Sequence, residues 1–242
     1  MSSTNENENY YFKRKDKYWK QLKMLIRSSE KILPKYLDLQ VSEIVQNEAK
    51  EEFEFFLTQL PYIGGDQNIF TFTFVSSAAA LAYIRVLEKY GLSVNIIGKI
   101  LNEIYGDVYE NLPRVVKWYL RWSEFSPGRR KKLEAFARES QKKEYPDNWV
   151  MEYVECEGKE FDYACNYSEC AVLKFFTKME ADEYMPYVCV MDFTSSKALR
   201  TGLHRTATVY YGGDYCDFQF KKNRPSLPGI PLEDLPEYKN RK

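Results

Sequence analysis

Near Tyr145-Pro146-Asp147-Asn148 the chain changes its hydrophobic repeat, and that change constrains the fold more than any other feature. Upstream, apolar residues recur at helical spacing. Downstream they alternate in twos. A chain that switches in this way codes for helices first and paired strands afterwards. The fold class expected is α+β: a mostly helical N-terminal part packed on a small antiparallel sheet, with helices in the C-terminal third.

The upstream pattern divides at prolines and glycines. Trp19, Leu22, Leu25 and Ile26 share one face of a helix over 12–29, bounded by Pro34. Ile44, Val45, Phe53, Phe56, Leu57 and Leu60 mark a second helix over 41–60, stopped by Pro61 and Gly64-Gly65. Residues 69–76 read two ways. Phe70, Phe72 and Phe74 alternate as in a strand, yet the stretch runs into an alanine-rich helix over 77–90 with Gly91 at its C′ position. Further helices are expected over 94–110 and 129–143, with a Trp- and Arg-rich segment after Pro113. The 242 residues suit one large domain or two intimate lobes. They divide into a disordered tail (1–11), a helical lobe (12–145), an α+β lobe carrying the site (146–222) and a second tail (223–242).

Downstream, residues 150–156 and 161–165 form a hairpin turning at Glu157-Gly158. Asn166, with Glu169 three residues on, has capping-box spacing for a helix to Lys178. An apolar strand is expected over 187–191, ended by Asp192, then a short helix over 195–199. The last hairpin pairs 203–210 with 215–220 through Gly212-Gly213. A two-residue turn there sets Thr208 opposite Asp217. It puts Ala207, Val209, Cys216 and Phe218 on an apolar face, and His204, Thr206, Thr208, Asp217 and Gln219 on a polar one that meets water or floors a pocket.

Lys and Arg total 35, as do Asp and Glu, so the chain lacks the cationic excess of nucleic-acid binders, and Arg129-Arg130-Lys131-Lys132 reads as a solvated helix face. No apolar run approaches the ~20 residues of a membrane span, and Ser2–Asn9 lacks a signal-peptide apolar region. A cytoplasmic protein is expected, without nucleic-acid or membrane partners, and a homo-oligomer is left open. Five cysteines, an odd number without a CxxC pair, argue for free thiols and against a zinc site. There is no phosphate-binding glycine loop, so no cofactor or metal is expected.

All five cysteines lie beyond residue 155. Cys170, in the first turn of the expected helix, is the best nucleophile, because a helix N-terminus favours thiolate. Asp192, just past a buried strand, stands where a carboxylate reaches a site edge. Cys189 reads as a strand-core thiol. His204 is the only histidine and lacks a triad context.

Four pieces in order, Asn166-Tyr-Ser-Glu-Cys170, Cys189-Val-Met-Asp192, His204-Arg205-Thr206-Ala-Thr208 and Gly212-Gly213-Asp214-Tyr-Cys216-Asp217-Phe218-Gln-Phe220, resemble the L-2-amino-thiazoline-4-carboxylic acid hydrolase family. Leu60-Pro61-Tyr62-Ile63-Gly64-Gly65 with Asn68 also looks like the family's N-terminal half. The resemblance implies a small-molecule substrate, a cyclic isothiourea opened to N-carbamoyl-L-cysteine. It implies Asp192, Asp217 or Asp214 as base and amidine anchor, Arg205 as a bidentate partner for the substrate carboxylate, and Cys170 as an alternative nucleophile. Asn166, Cys189, Thr206, Asp214 and Cys216 complete the expected pocket, with Asn166 as cap and Thr206 and Cys216 as support. Two other readings stay open: a ligand sensor similar to 4-vinyl reductase-type domains, and a structural partner subunit.

Overall fold

The structure is a computed structural model that describes residues 9–156, 160–227 and 229–241. Among the described residues six α-helices come first: α1 (Lys15–Ile32), α2 (Leu39–Gln59), α3 (Thr71–Lys89), α4 (Val94–Glu110), α5 (Arg114–Glu124) and α6 (Pro127–Ser140). Then follow β1 (Val150–Glu155), β2 (Tyr163–Glu169), α7 (Ala171–Lys178), α8 (Met185–Cys189), α9 (Met191–Leu199), β3 (Leu203–His204), β4 (Cys216–Phe220) and α10 (Pro236–Lys239). The four strands form one antiparallel sheet in the order β1-β2-β4-β3. This is the expected α+β fold. No helix among the described residues is long and apolar enough to cross a membrane.

Helix α3 is the centre of the helical part. Phe74, Val75, Ala78, Ala79, Leu81, Ala82 and Ile84 are fully buried on several of its faces, as a helix enclosed by others requires. It settles the ambiguity over 69–76. Phe70 and Phe74 stand four apart and both pack on Trp149, while Phe72 is 61% exposed. The i, i+4 relation buries two rings that a strand would have put on the same face as Phe72. Asn68 secures the helix start: its side chain accepts from Phe70 N and donates to Ile63 O and to Asn148 Oδ1.

Three expectations need correction. Residues 187–191 are helical, with Pro186 in the first turn of α8, where its missing N–H costs nothing. A five-residue apolar run carries no periodicity that separates strand from buried helix. Tyr187 lies flat against Gly98 of α4, where an added Cβ would come within 2.1 Å of the ring, so a side chain at 98 would force the helices apart. Second, Asn166 is not a cap. Strand β2 continues to Glu169, with Asn166 paired between Glu152 and Asp217, and Cys170 caps α7 by accepting from Leu173 N through Sγ (3.5 Å). Third, the last hairpin is short. Leu203 pairs with Phe220 and His204 with Gln219, two residues out of the expected register. A shift of two preserves the faces, but beyond His204 the chain leaves the sheet and turns through a 3-10 segment at Val209–Tyr211. The Asp217 carboxylate replaces the lost ladder, accepting from Thr206 N (2.8 Å), Ala207 N (2.7 Å) and Thr206 Oγ1 (2.6 Å).

Both expected tails also pack where they are described. Tyr11 is buried, with its hydroxyl accepting from Ile63 N. Leu235 joins a small core with Val190, Phe193 and Leu203, and Glu237 is buried beside it. In each segment a few apolar or aromatic residues are enough to anchor a polar stretch. The expected turn at Glu157-Gly158 lies outside the described residues.

Candidate functional site

Between α3, α4 and the sheet lies a cavity of about 230 Å³. Alternation along the strands decides what faces it: Tyr163, Cys165 and Tyr167 from β2, and Cys216, Phe218 and Phe220 from β4. Thus the apolar face of β4 walls the cavity, and the expected polar face turns away from it. Thr73, Ser76 and Ser77 of α3 add hydroxyls, Tyr105 of α4 a phenol, and Trp149 an indole. A larger cleft of about 1090 Å³ lies outside, and Glu124, Arg129, Asp192, Phe218 and Phe220 line both spaces. The aromatic pair and the three charged residues therefore form the partition between them.

Asp192 occupies the first turn of α9, which Thr194 ties to α4 through a hydrogen bond to Asn102 Oδ1 (3.0 Å). Its Oδ2 accepts from Arg205 Nη1 (3.0 Å), and among the described residues no hydrogen bond reaches Oδ1. Protein surrounds the carboxyl, yet 44% of the side-chain surface is free, because that surface faces the cavity and the cleft. Burial raises its pKa; the Arg205 charge opposes the rise and Glu237 adds to it.

Arg205 is 1% exposed and almost fully engaged. Its Nε and Nη2 donate to Glu237 Oε1 (3.1 and 2.6 Å), and Nη2 also donates to Cys189 O (3.1 Å). The rings of Phe193 and Phe218 cover its two sides, each with its centroid 4.9 Å from the guanidinium carbon. The resemblance made Arg205 a clamp for a substrate carboxylate. The structure instead gives it two protein carboxylates, Asp192 and Glu237.

Four thiols share the cavity wall, and burial pushes Cys165 up to about 12. Cys170 and Cys189 have their pKa raised, Cys189 well above the ordinary thiol value, and Cys216 is pushed up to about 12, in each case chiefly by burial. For Cys170 the N–H groups of Leu173 and Val172 pull the other way, as expected at a helix N-terminus, and lose to burial. Cys170 is therefore a neutral thiol at pH 7, a correction to its expected thiolate character. Among the described residues no three His, Cys, Asp or Glu side chains are arranged to hold a metal.

Of the nine expected site residues, Cys170, Cys189, Asp192, Arg205 and Cys216 line the cavity. Asn166, Thr206, Asp214 and Asp217 do not. Asn166 points from the opposite face of β2, Asp217 and Thr206 bind each other, and Asp214 is exposed in the turn before β4. His204 stacks on Phe161, away from the cavity. Sequence reasoning missed Tyr105, Trp149, Tyr167, Arg129 and Glu237. Tyr167 carried a signal, since it alternates with Cys165 and adjoins Asn166 within a motif already singled out. Glu237 carried none, lying in a Pro- and charge-rich end.

A family model described as L-2-amino-thiazoline-4-carboxylic acid hydrolase matches residues 80–220, more than half of the chain. No curated protein and no solved structure matches it. The matched stretch contains Asp192, Arg205 and the four cavity thiols. It excludes the α3 hydroxyls, the Leu60–Gly65 motif and Glu237.

Proposed function

We infer that this chain, which belongs to the L-2-amino-thiazoline-4-carboxylic acid hydrolase family, opens a small cyclic amidine of the 2-amino-thiazoline-4-carboxylate kind by adding water, with Asp192 as general base. One observation carries the reading: Asp192 lines the cavity with Oδ2 held by Arg205, while among the described residues no hydrogen bond reaches Oδ1. A carboxylate whose pKa is raised by burial accepts a proton more readily near neutral pH than an exposed one. The reaction consumes one water. Its oxygen bonds to the ring carbon between nitrogen and sulfur as Asp192 takes its proton. The C–S bond then breaks, the sulfur leaves with that proton, the remaining proton of the added hydroxyl passes to the ring nitrogen as C=O forms, and the product is N-carbamoyl-L-cysteine with a free thiol.

The other roles follow from chemistry. Tyr105 and Tyr167, both held protonated by burial, place phenol groups on the cavity wall that the substrate meets. Arg129, at the partition and 3.5 Å from Glu124 through Nε, replaces Arg205 as partner for the substrate carboxylate. Asp217 and Thr206 hold the chain after β3, one step removed from the substrate.

The test is incubation with 2-amino-thiazoline-4-carboxylate, reading new thiol and the mass of N-carbamoylcysteine. The expected result is turnover by wild type, a loss of orders of magnitude in Asp192→Asn, and retention of much of the rate in Cys170→Ser. The reverse pattern would replace the base with a cysteine nucleophile. Binding without turnover by wild type would favour the sensor.

A further inference from the structure

The Arg205 guanidinium is shared by two carboxylates, and only one of them reaches the cavity. Asp192 Oδ2 takes Nη1, while Glu237 Oε1 takes both Nε and Nη2. Glu237 is 1% exposed in its side chain, and its Oε2 is buried without a hydrogen-bond partner. It arrives from α10, beyond the matched stretch. Leu235 anchors this segment in the core with Val190, Phe193 and Leu203, and Asn240 donates to Thr206 O (3.1 Å). A segment tied down on both sides of Glu237 holds that carboxylate in place.

We propose that Glu237 is a positioning residue that sets the proton affinity of Asp192 through their common partner Arg205; the proposal deepens the general-base reading and rests on it for its catalytic meaning. Two carboxylates against one guanidinium leave this cluster, buried at Arg205 and Glu237 and open at Asp192, one negative charge in excess. Such a group gains by holding a proton, and the carboxyl with a free oxygen and access to water is Asp192.

Other titratable groups around Asp192 do not supply that charge. Tyr105 and Tyr109 face it from α4, and Tyr167 from β2. Cys170, Cys189 and Cys216 stand at the start of α7, the end of α8 and the start of β4. Burial raises the pKa of each, so each is neutral across the range in which a carboxylate titrates. Glu124 and Arg129, at the partition, pair with one another. Glu237 is thus the negative neighbour of Asp192, and Arg205 the positive one.

The experiment is a pH titration of protein carrying ¹³C-carboxyl aspartate, followed by NMR, with Asp192 assigned as the resonance missing in Asp192→Asn. Glu237→Gln keeps the shape and an acceptor oxygen for Arg205 but removes the charge. The expected result is a fall of about one pH unit in the Asp192 midpoint, matched by the same displacement of the acid limb of kcat/KM on 2-amino-thiazoline-4-carboxylate. An unmoved midpoint in a folded Glu237→Gln variant overturns the proposal, because a merely structural glutamate would change melting and leave the titration alone. If that variant does not fold, Glu237→Asp decides, since it keeps the charge but draws it back from Arg205: a moved Asp192 midpoint supports the proposal, and an unmoved one overturns it. A wild type inert toward the substrate would remove the general-base reading and leave the titration result standing.

Discussion

Replacing Arg205 with methionine isolates the cost of an orphaned charge. Methionine still fills the slot between Phe193 and Phe218, so the stacking contacts are largely kept. Glu237 loses both of the hydrogen bonds and the one ion pair it makes among the described residues, while staying buried. A lone buried carboxylate escapes by taking a proton, and that limits the penalty. Neutralising a glutamate whose unfolded pKa is about 4.3 costs ~1.4 kcal/mol per pH unit above that value, hence about 3.7 kcal/mol at pH 7 and about 1 kcal/mol at pH 5. The result agrees with the ~3–5 kcal/mol typical of breaking one side of a buried pair. The sign follows from linkage. In the variant the folded pKa lies above the unfolded one, so stability is greatest below the unfolded value and is lost as pH rises toward the folded one. Urea unfolding of wild type and Arg205→Met at pH 5, 6 and 7, followed by tryptophan emission, measures the difference. A gap widening by about 1 kcal/mol or more per unit is expected. A gap that is flat with pH would mean that Arg205 contributes packing alone, and the charge argument would fail.

Three further outcomes follow from contacts already described. Asp217→Ala strands two backbone N–H groups and a hydroxyl, at a cost of about 3 kcal/mol in urea unfolding; if turnover is lost without any loss of stability, Asp217 belongs in the chemistry after all. Gly98→Ala drives a methyl into the Tyr187 ring and should lower stability by about 1–3 kcal/mol, with a wild-type melting curve arguing against that close approach. All five cysteines are free, so denatured protein should titrate five thiols. Native protein at pH 7 should leave Cys165 and Cys216 unmodified by iodoacetamide, since both are buried with pKa pushed up to about 12; rapid alkylation of either would contradict that environment.

Much of the fold was legible because long helices announce themselves. The repeats over 94–110 and 41–60 reproduce α4 and, within two residues, α2. The shift of pattern at Pro146 marks where strands begin. Legibility failed wherever tertiary contacts chose between local options. The run Tyr187–Met191 is apolar in either conformation, and only its docking on Gly98 makes it a helix. Asn166 has the spacing of a cap, but the ladder with Glu152 and Asp217 claims it for the sheet. The site was half visible. Asp192, Arg205, Cys170, Cys189 and Cys216 do gather at one cavity, while the second carboxylate on Arg205 comes from residue 237, in a segment with no repeat to read.

The strand order also sets the sequence of events in folding. β2 pairs with β4 across some fifty intervening residues, and Arg205 waits for a glutamate thirty-two positions later. The contacts of α2 with α3 close over one short loop. Loop-closure entropy therefore favours a helical half that forms early, with the cavity wall closing last. Nascent chains would pass through a state in which α3 and Trp149 have lost water on one side only. In stopped-flow refolding, helical circular dichroism should recover ahead of the tryptophan signal from the cavity, and simultaneous recovery would show that the two halves nucleate together.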